Sequence, residues 1–178
     1  KAFESRLEVN LTQLQEELQK GTYRPRPIRR TYIDKPGSKE KRPLGIPTVR
    51  DRVVQTALKM VLEPIFERDF MPTSFGFRPG MGCKDALKRV VELMREGHTW
   101  VIDADLKSYF ETIPHDRLMA EIRRRVADSR GLDLIEGFLK QQILEDLTYW
   151  TPEKGTPQGA VISPLLSNVY LHEVDKRV

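Results

Sequence analysis

The chain has 178 residues, of which 39% are hydrophobic and 31% are charged, the composition of a folded globular protein rather than a disordered one. It has no apolar run near the roughly 18 residues that a membrane-spanning helix needs. The single cysteine, Cys83, can form neither an internal disulfide nor a cysteine metal cluster. These features exclude membrane-spanning and disulfide-scaffold classes and lead us to expect a cytoplasmic location.

Positive charge is concentrated in one part of the sequence. Residues 20–52 contain eleven Lys or Arg and three acidic residues, a local net charge of +8 in a chain whose total is +4. Such a block suits a polyanion, because each neutralised phosphate releases counterions. A solvated basic face explains the charge equally well.

The first third of the chain reads as a helix followed by a hairpin. Leucines recur every three or four residues from Leu7 to Leu18, which predicts an amphipathic helix that Gly21 ends. Residues 28–34 are rich in β-branched and aromatic residues, and residues 42–46 can return antiparallel to them. Pro43 cannot donate to a sheet ladder, so the return strand should lie at an edge with tip 35–41 projecting.

The remaining pattern alternates helices with short strands. Asp51 can cap a helix with an apolar stripe from Val54 to Ile65. The later predictions are a helix over 84–96 with Leu87, Val90, Val91 and Met94 inward, a strand over 99–106, helices over 116–126 and 132–144, a strand at 147–150 and a last helix from residue 164.

Two carboxylates stand at the end of the predicted strand 99–106. Residues i and i+2 of a strand face the same way, so Asp103 and Asp105 would share a face. Carboxylate oxygens suit Mg²⁺, which keeps waters and substrate phosphates in its shell during phosphoryl transfer. Two aspartates near a strand end are also common as turn or cap residues.

A series of short motifs occurs in a fixed order along the chain. They are RPLGIP at 42–47, SFGFRPG at 74–80, DLKSYFETIPH at 105–115, GTPQG at 155–159 and SPLLSN at 163–168. Together they resemble the reverse transcriptases encoded by group II introns, the maturases, from about Tyr23 to Val178. The resemblance implies an α+β right-hand fold with helical fingers, a basic β-hairpin and an incomplete antiparallel palm sheet, in a bacterial cell or an organelle. It implies an N-terminal extension over 1–22, fingers over 23–98 and part of a palm over 99–178.

The resemblance assigns the chemistry to the 105–110 segment. Asp105 matches the family's catalytic metal-binding aspartate and the Leu106 carbonyl a further Mg²⁺ ligand, while Asp103 at most supports them. Phe110 matches the aromatic gate under the nucleotide sugar, where bulk rejects a 2′-hydroxyl. Without the motif, Phe110 would read as a core residue.

The incoming nucleotide would meet the basic hairpin and the GTPQG loop. Arg42 and Lys35 match the residues that grip the triphosphate, with Arg29 a further contact, since both side chains suit phosphate oxygens. The hairpin is one residue longer than in some relatives, so Arg42 is the more secure match. Gln158 matches the glutamine beside the nascent base pair, although Ala160 stands where a second glycine is usual.

The RNA template would lie along a further group of residues. The two phenylalanines could equally be packing residues, and His115 resembles a structural residue at the start of a helix. The residues assigned to RNA or template are Arg24, Arg26, Arg30, Phe75, Phe77, Arg78 and Gly159.

The sequence lacks the Tyr/Phe-x-Asp-Asp motif with which this family completes its two-metal site. We therefore expect fingers and partial palm of an RNA-directed DNA polymerase, inactive as it stands, whose partners are an RNA template, intron RNA, a DNA primer and dNTPs. A non-catalytic RNA-binding splicing cofactor is the alternative, and an RNA-dependent RNA polymerase is a more distant one. A palm without its later strands should expose apolar surface, so the chain is expected to pair with a second copy.

Overall fold

The computed structural model describes residues 3–34, 37 and 39–177 of the chain. A short 3-10 helix, Glu4–Arg6, precedes the regular elements. In the described part of the chain, no helix is both long and apolar enough to cross a bilayer. In chain order the elements are α1 Leu7–Gln19, β1 Ile28–Asp34, β2 Lys41–Ile46, α2 Val49–Glu67, α3 Cys83–Arg95, α4 Tyr109–Thr112, α5 His115–Arg123, α6 Ser129–Leu139, β3 Ile143–Glu145, β4 Thr148–Trp150 and α7 Ser163–Asp175.

The strands form one mixed sheet in the order β2-β1-β3-β4. The predicted hairpin is confirmed: β1 and β2 pair antiparallel, with Tyr32 opposite Pro43, and β2 lies at the edge. β3 and β4 are also antiparallel, whereas β3 runs parallel to β1, a pairing that the sequence did not predict and that joins the two hairpins into one mixed sheet. A parallel pair needs a long crossover, and the helices from α2 to α6 supply it. The α+β class is confirmed.

The main core lies among α2, α5, α6 and α7. Leu118 and Ile122 of α5 and Ile135 of α6 are fully buried there, together with Leu166 of α7. A smaller cluster joins Leu14 of α1 to Tyr23, Val54 and Phe138. The sheet and the loops between the motifs thus pack against these helices.

Asp51 is not the cap of α2, as the sequence suggested. Thr48 is the N-cap, and its hydroxyl accepts a hydrogen bond from the Asp51 backbone N–H at 3.2 Å. The Asp51 carboxylate is fully buried and accepts hydrogen bonds from the Tyr23 hydroxyl at 2.6 Å and the Arg26 backbone N–H at 3.2 Å. It therefore links α2 to the segment that leads into β1.

The prediction that α3 packs its apolar residues inward is wrong. The helix itself forms as expected, but Leu87 and Met94 are about three-fifths exposed, and Val90 and Val91 are nearly half exposed. The sequence pattern defines an apolar face but does not determine which element covers it. This face of α3 therefore remains uncovered in the described part of the chain.

The prediction of a strand over 99–106 is also wrong. Residues 100–106 have no regular secondary structure, and Trp100 and Ile102 are each 95% exposed. A strand forms only when its backbone groups find a partner, and no described strand pairs with this segment. The two aspartates therefore lie in an extended exposed connection between α3 and α4.

Candidate active site

Asp105 lies in the open connection before α4. Its side chain is exposed, as are Asp103 and Leu106, and among the described residues it makes no ion pair. A carboxylate locked into an internal salt bridge could not bind a cation, and Asp105 is not in that state. Its exposed position leaves the carboxylate oxygens available to a cation.

A short turn separates Phe110 from Asp105 along the chain. Ser108 adopts a left-handed conformation with φ of 52°, after which α4 begins at Tyr109. The Tyr109 hydroxyl donates to the Ser167 carbonyl at 2.7 Å, and burial, followed by Tyr170 and Asp175, raises its pKa above the usual range. The phenol therefore stays protonated and holds α4 against α7. Phe110 is half-buried next to it.

The GTPQG loop is fastened to the segment that carries Phe110. The Thr156 backbone N–H donates to the Phe110 carbonyl at 2.6 Å, and the Gly155 N–H donates to the Ile113 carbonyl at 2.7 Å. The buried His115 ring hydrogen-bonds the Gly155 carbonyl through Nε2 at 2.7 Å. His115 thus has the structural role that its place at the start of α5 predicted.

The same loop also contacts the base of the hairpin. The Gly45 backbone N–H donates to the Gln158 carbonyl at 2.7 Å. Gly159 follows with φ of +97°, and a Cβ on it would lie 2.9 Å from the Gly45 carbonyl oxygen. The structure therefore brings Gln158 and Gly159 between the hairpin and the Phe110 segment.

The SFGFRPG segment reaches this region from the other side. The Asn168 side-chain amide donates to the Gly76 carbonyl at 2.7 Å, which ties the segment to α7. Phe77 is 67% exposed and meets Phe110 edge to face, with ring centroids 6.3 Å apart. Phe75 is half-buried. Phe77 therefore retains an exposed ring beside the candidate site, as a template contact requires.

Arg78 does not have the template-facing position that the sequence suggested. It is 9% exposed, and its guanidinium donates to the Glu67 carboxylate at 2.7 and 2.9 Å. It also donates to the Met71 and Ser74 carbonyls, each at 2.7 Å. Because these internal hydrogen bonds use most of its N–H donors, the buried Arg78 side chain holds the loop to α2 and offers few donors to RNA.

Strand register separates the arginines of the hairpin into two faces. Arg42 lies opposite Ile33, which is four residues from Arg29, so Arg29 and Arg42 share one exposed face. Arg30 points to the other face, where its guanidinium carbon lies 5.6 Å from the centroid of the Trp150 ring. Lys35 lies outside the described residues.

The arginines before β1 stand on the surface. Arg24 and Arg26 are exposed, and Arg24 donates to the Gly21 carbonyl at 3.0 Å and to the Tyr23 carbonyl at 2.7 Å. With Arg29 they leave a line of cations along the segment that enters the sheet, available to a polyanion.

Sequence reasoning did not identify Gln55 and treated Asp51 only as a helix cap, although both are buried polar residues that position the site. Gln55 of α2 accepts a hydrogen bond from the Val161 backbone N–H at 2.8 Å and so anchors the chain just after Gly159. Asp51 also receives the Gln141 side-chain amide at 3.3 Å, near β3. Both are buried on α2. For Gln55 the available signal was a polar residue within the range of the apolar stripe.

The described residues offer few ligands for a metal. No group of three or more His, Cys, Asp or Glu side chains in the described part of the chain could hold an ion. Asp105 would give one carboxylate and Leu106 one carbonyl, both hard oxygens of the kind Mg²⁺ prefers. The donor chemistry fits magnesium, but the number of ligands supports only weak binding.

Comparison with known proteins identifies the family. The profile of the family described as reverse transcriptase (RNA-dependent DNA polymerase) matches residues 33–178. Protein YkfC of Escherichia coli is 45% identical over 178 residues, which cover 98% of this chain and 46% of that protein. Group II intron-encoded protein LtrA of Lactococcus lactis is 43% identical over 173 residues, covering 96% of this chain and 28% of that protein.

A solved structure supports the same assignment. A chain of the partial Cas6-RT-Cas1--Cas2 complex is similar with a TM-score of 0.62 and 26% identity, covering 96% of this chain and 30% of that one. The chain spans less than half the length of the curated relatives compared above. The motif order had predicted this kinship, and the chain belongs to the reverse transcriptase family, with a group II intron-encoded protein among its relatives.

Proposed function

We propose that this chain supplies the nucleotide- and template-facing part of an RNA-directed DNA polymerase encoded by a group II intron. The observation that carries the proposal is the convergence at the GTPQG loop: Thr156 is bonded to Phe110, and Gln158 to Gly45. Residues that the family uses for one nucleotide thus come from three separated motifs. We infer that residues 1–22 are an extension, 23–98 the fingers and 99–178 the start of the palm.

Each element of the site has a distinct task in this proposal. Arg29 and Arg42 on one face of the hairpin bind the triphosphate, together with Lys35. Phe110 lies under the sugar, and Gln158 lies beside the new base pair. Mg²⁺ supplies charge neutralisation at the transferred phosphate when bound.

Asp105 is the residue that would hold Mg²⁺, with the Leu106 carbonyl beside it. Because these oxygens are too few for a tight site, further carboxylates must come from outside this chain. We infer that the chain acts within a longer polypeptide, in the cytoplasm of a bacterial cell or in an organelle, on an RNA template, a DNA primer and dNTPs.

Primer extension tests the polymerase proposal. In a full-length polypeptide that contains this chain, Asp105→Ala should abolish extension of a DNA primer on an RNA template in Mg²⁺. Asp103→Ala is the matched control, because it removes an exposed carboxylate two residues away and should retain most activity. Full activity of Asp105→Ala would contradict the assignment.

RNA binding in splicing is a second candidate function, favoured by the exposed cations that precede and begin β1. Neutralising Arg24, Arg26 and Arg29 together should reduce the slope of log affinity for intron RNA against log salt concentration by about 2 to 3. Neutralising three exposed cations elsewhere, Lys84, Lys88 and Arg95, is the matched control. Equal slopes for the wild-type chain and the first variant would argue against this surface as an RNA clamp.

A further inference from the structure

A cavity of about 350 Å³ lies on the side of the hairpin opposite to Arg29 and Arg42. One wall is β1, from which Arg30 and Tyr32 project, and another is formed by Glu145 and Trp150 of the second hairpin. The GTPQG loop forms a third wall, and the cavity is open to solvent. The volume is at the lower end of the range of small-ligand sites.

Glu145 organises two walls of this cavity. It accepts hydrogen bonds from the Tyr32 hydroxyl and from the Trp150 indole N–H, the latter at 3.3 Å. The Arg30 guanidinium lies over the Trp150 ring, 5.6 Å from its centroid, and its Nε is 4.0 Å from Glu145, too far for a hydrogen bond. Trp150 is still 40% exposed, so an aromatic surface remains for a ligand.

Three polar atoms of the cavity-lining residues have no hydrogen-bond partner. They are Arg30 Nε, Thr156 Oγ1 and Gln158 Oε1, all buried from solvent. Thr156 is 3% exposed. Buried polar groups are normally paired, so an unpaired donor, an unpaired acceptor and an unpaired hydroxyl in one cavity indicate a ligand with complementary groups.

The charges around the cavity do not favour a phosphate. Arg30 and Lys154 are balanced by Glu111 and Glu145. A flat, uncharged ring with donors and acceptors on its edge matches the aromatic wall and the unpaired polar atoms better than an anion does. A nucleobase has this chemistry, and bases stack on aromatic side chains in single strands.

We propose that this cavity binds one unpaired nucleobase of single-stranded RNA, stacked on Trp150 and hydrogen-bonded by Thr156 and Arg30. The inference rests on the proposed function in one respect, that RNA is the polymer that reaches this surface. Because the GTPQG loop forms a wall of the cavity and also contacts the Phe110 segment, the bound base would lie behind the nucleotide site.

Titration of the 178-residue chain with an end-labelled hexanucleotide of riboadenylate tests the proposal. Trp150→Ala should weaken binding by about tenfold, the loss of one stacked base. Trp100→Ala is the matched control, since it removes the same ring from a site that is 95% exposed, and it should bind as the wild type does. Equal affinities for the two variants would overturn the proposal.

Thr156→Val separates ligand binding from folding. It removes the unpaired hydroxyl at nearly constant volume, so the thermal midpoint should stay the same or rise while affinity for the hexanucleotide falls about fivefold. Unchanged affinity would overturn the proposal. If Trp150→Ala does not fold, Trp150→Leu replaces it, and the affinities of Trp150→Leu and Thr156→Val for the hexanucleotide then decide whether the proposal holds.

Two further readouts identify the ligand group. In a Trp100→Phe chain, Trp150 is the sole tryptophan, and saturating hexanucleotide should quench its emission. Inorganic phosphate should not displace the RNA from Trp150, and displacement would show that the cavity recognises anions instead. Asp105→Ala should leave this binding intact, so failure of the polymerase proposal and failure of this one are distinguishable.

Discussion

Gly159 lies so close to Gly45 that a Cβ at position 159 would come within 2.9 Å of the Gly45 carbonyl oxygen. The contact joins the loop that carries Gln158 to the base of the basic hairpin, and the Gly45 N–H to Gln158 carbonyl bond lies next to it. A side chain at Gly159 would force the two segments apart, because the backbone of Gly45 cannot yield as a flexible side chain does. The separation between the hairpin and the loop is therefore fixed by these two residues.

Gly159→Ala should destabilise the chain by about 2 to 4 kcal/mol, from the left-handed backbone together with the steric clash. Denaturant unfolding followed by circular dichroism measures the change. Gly97→Ala is the matched control: its φ is +98°, but no atom lies within 4 Å of the added Cβ. Gly97→Ala should lower the free energy of unfolding by only the cost of the left-handed backbone, about 1 kcal/mol. Equal losses in the two variants would show that the contact with Gly45 is unimportant.

Asp51→Asn should destabilise the chain by about 3 kcal/mol. The buried carboxylate accepts from Tyr23, Arg26, Thr48 and Gln141, and an amide would turn an N–H group towards donors. The free energy of unfolding measured in urea tests this expectation.

Asp85→Asn is the matched control for Asp51. Asp85 occupies the same third position of its helix, α3, but it is exposed and accepts from the Gly82 backbone N–H at 2.9 Å. Asp85→Asn should lower the free energy of unfolding by about 0.5 kcal/mol. If Asp51→Asn costs no more than this, the buried network contributes little to stability.

The parts of the fold that the sequence predicted well are those in which local chemistry determines the structure. Strand β1 has the predicted bounds, and β2 begins one residue earlier than predicted. The hairpin was predictable because β-branched and aromatic residues flank a Pro-Gly turn sequence and Pro43 marks an edge strand. The predicted strand at 99–106 had the same local character. It forms no strand, since strand formation also requires a neighbouring backbone, which residue preferences do not reveal.

In the candidate site too, the sequence predicted the features set by local motifs but not those set by contacts between distant segments. Motif order placed Phe110 and Gln158 in one region, and the structure brings their segments together. Motif order could not show that the Arg78 guanidinium is hydrogen-bonded to Glu67, or that Arg29 and Arg30 lie on opposite faces of the sheet. Burial and side-chain partners depend on contacts between distant segments, which a motif does not encode.

Tyr23 should make stability fall steeply in alkali. Burial, followed by its hydrogen bond to Asp51, raises the pKa of Tyr23 well above the usual value of about 10. The folded state therefore keeps a proton that the unfolded state loses, so this contribution is complete below about pH 10 and declines as the pH rises further. Tyr23→Phe should be less stable at neutral pH but show a shallower decline between pH values of about 10 and 11 in urea unfolding. Parallel declines for the two chains would contradict this linkage.

The uncovered apolar face should cause self-association. Leu87, Val91 and Met94 of α3 are exposed, and Trp100 and Ile102 follow in the connection to α4. We expect light scattering of the chain to show dimers at high concentration, because burying such a patch against a second copy removes it from water. Met94→Lys should shift the chain towards monomer by placing a charge in the patch. Leu147→Lys, at a 94% exposed position in the turn between β3 and β4, should leave association unchanged. A monomer at every concentration, or equal effects of the two lysines, would show that this face does not mediate pairing.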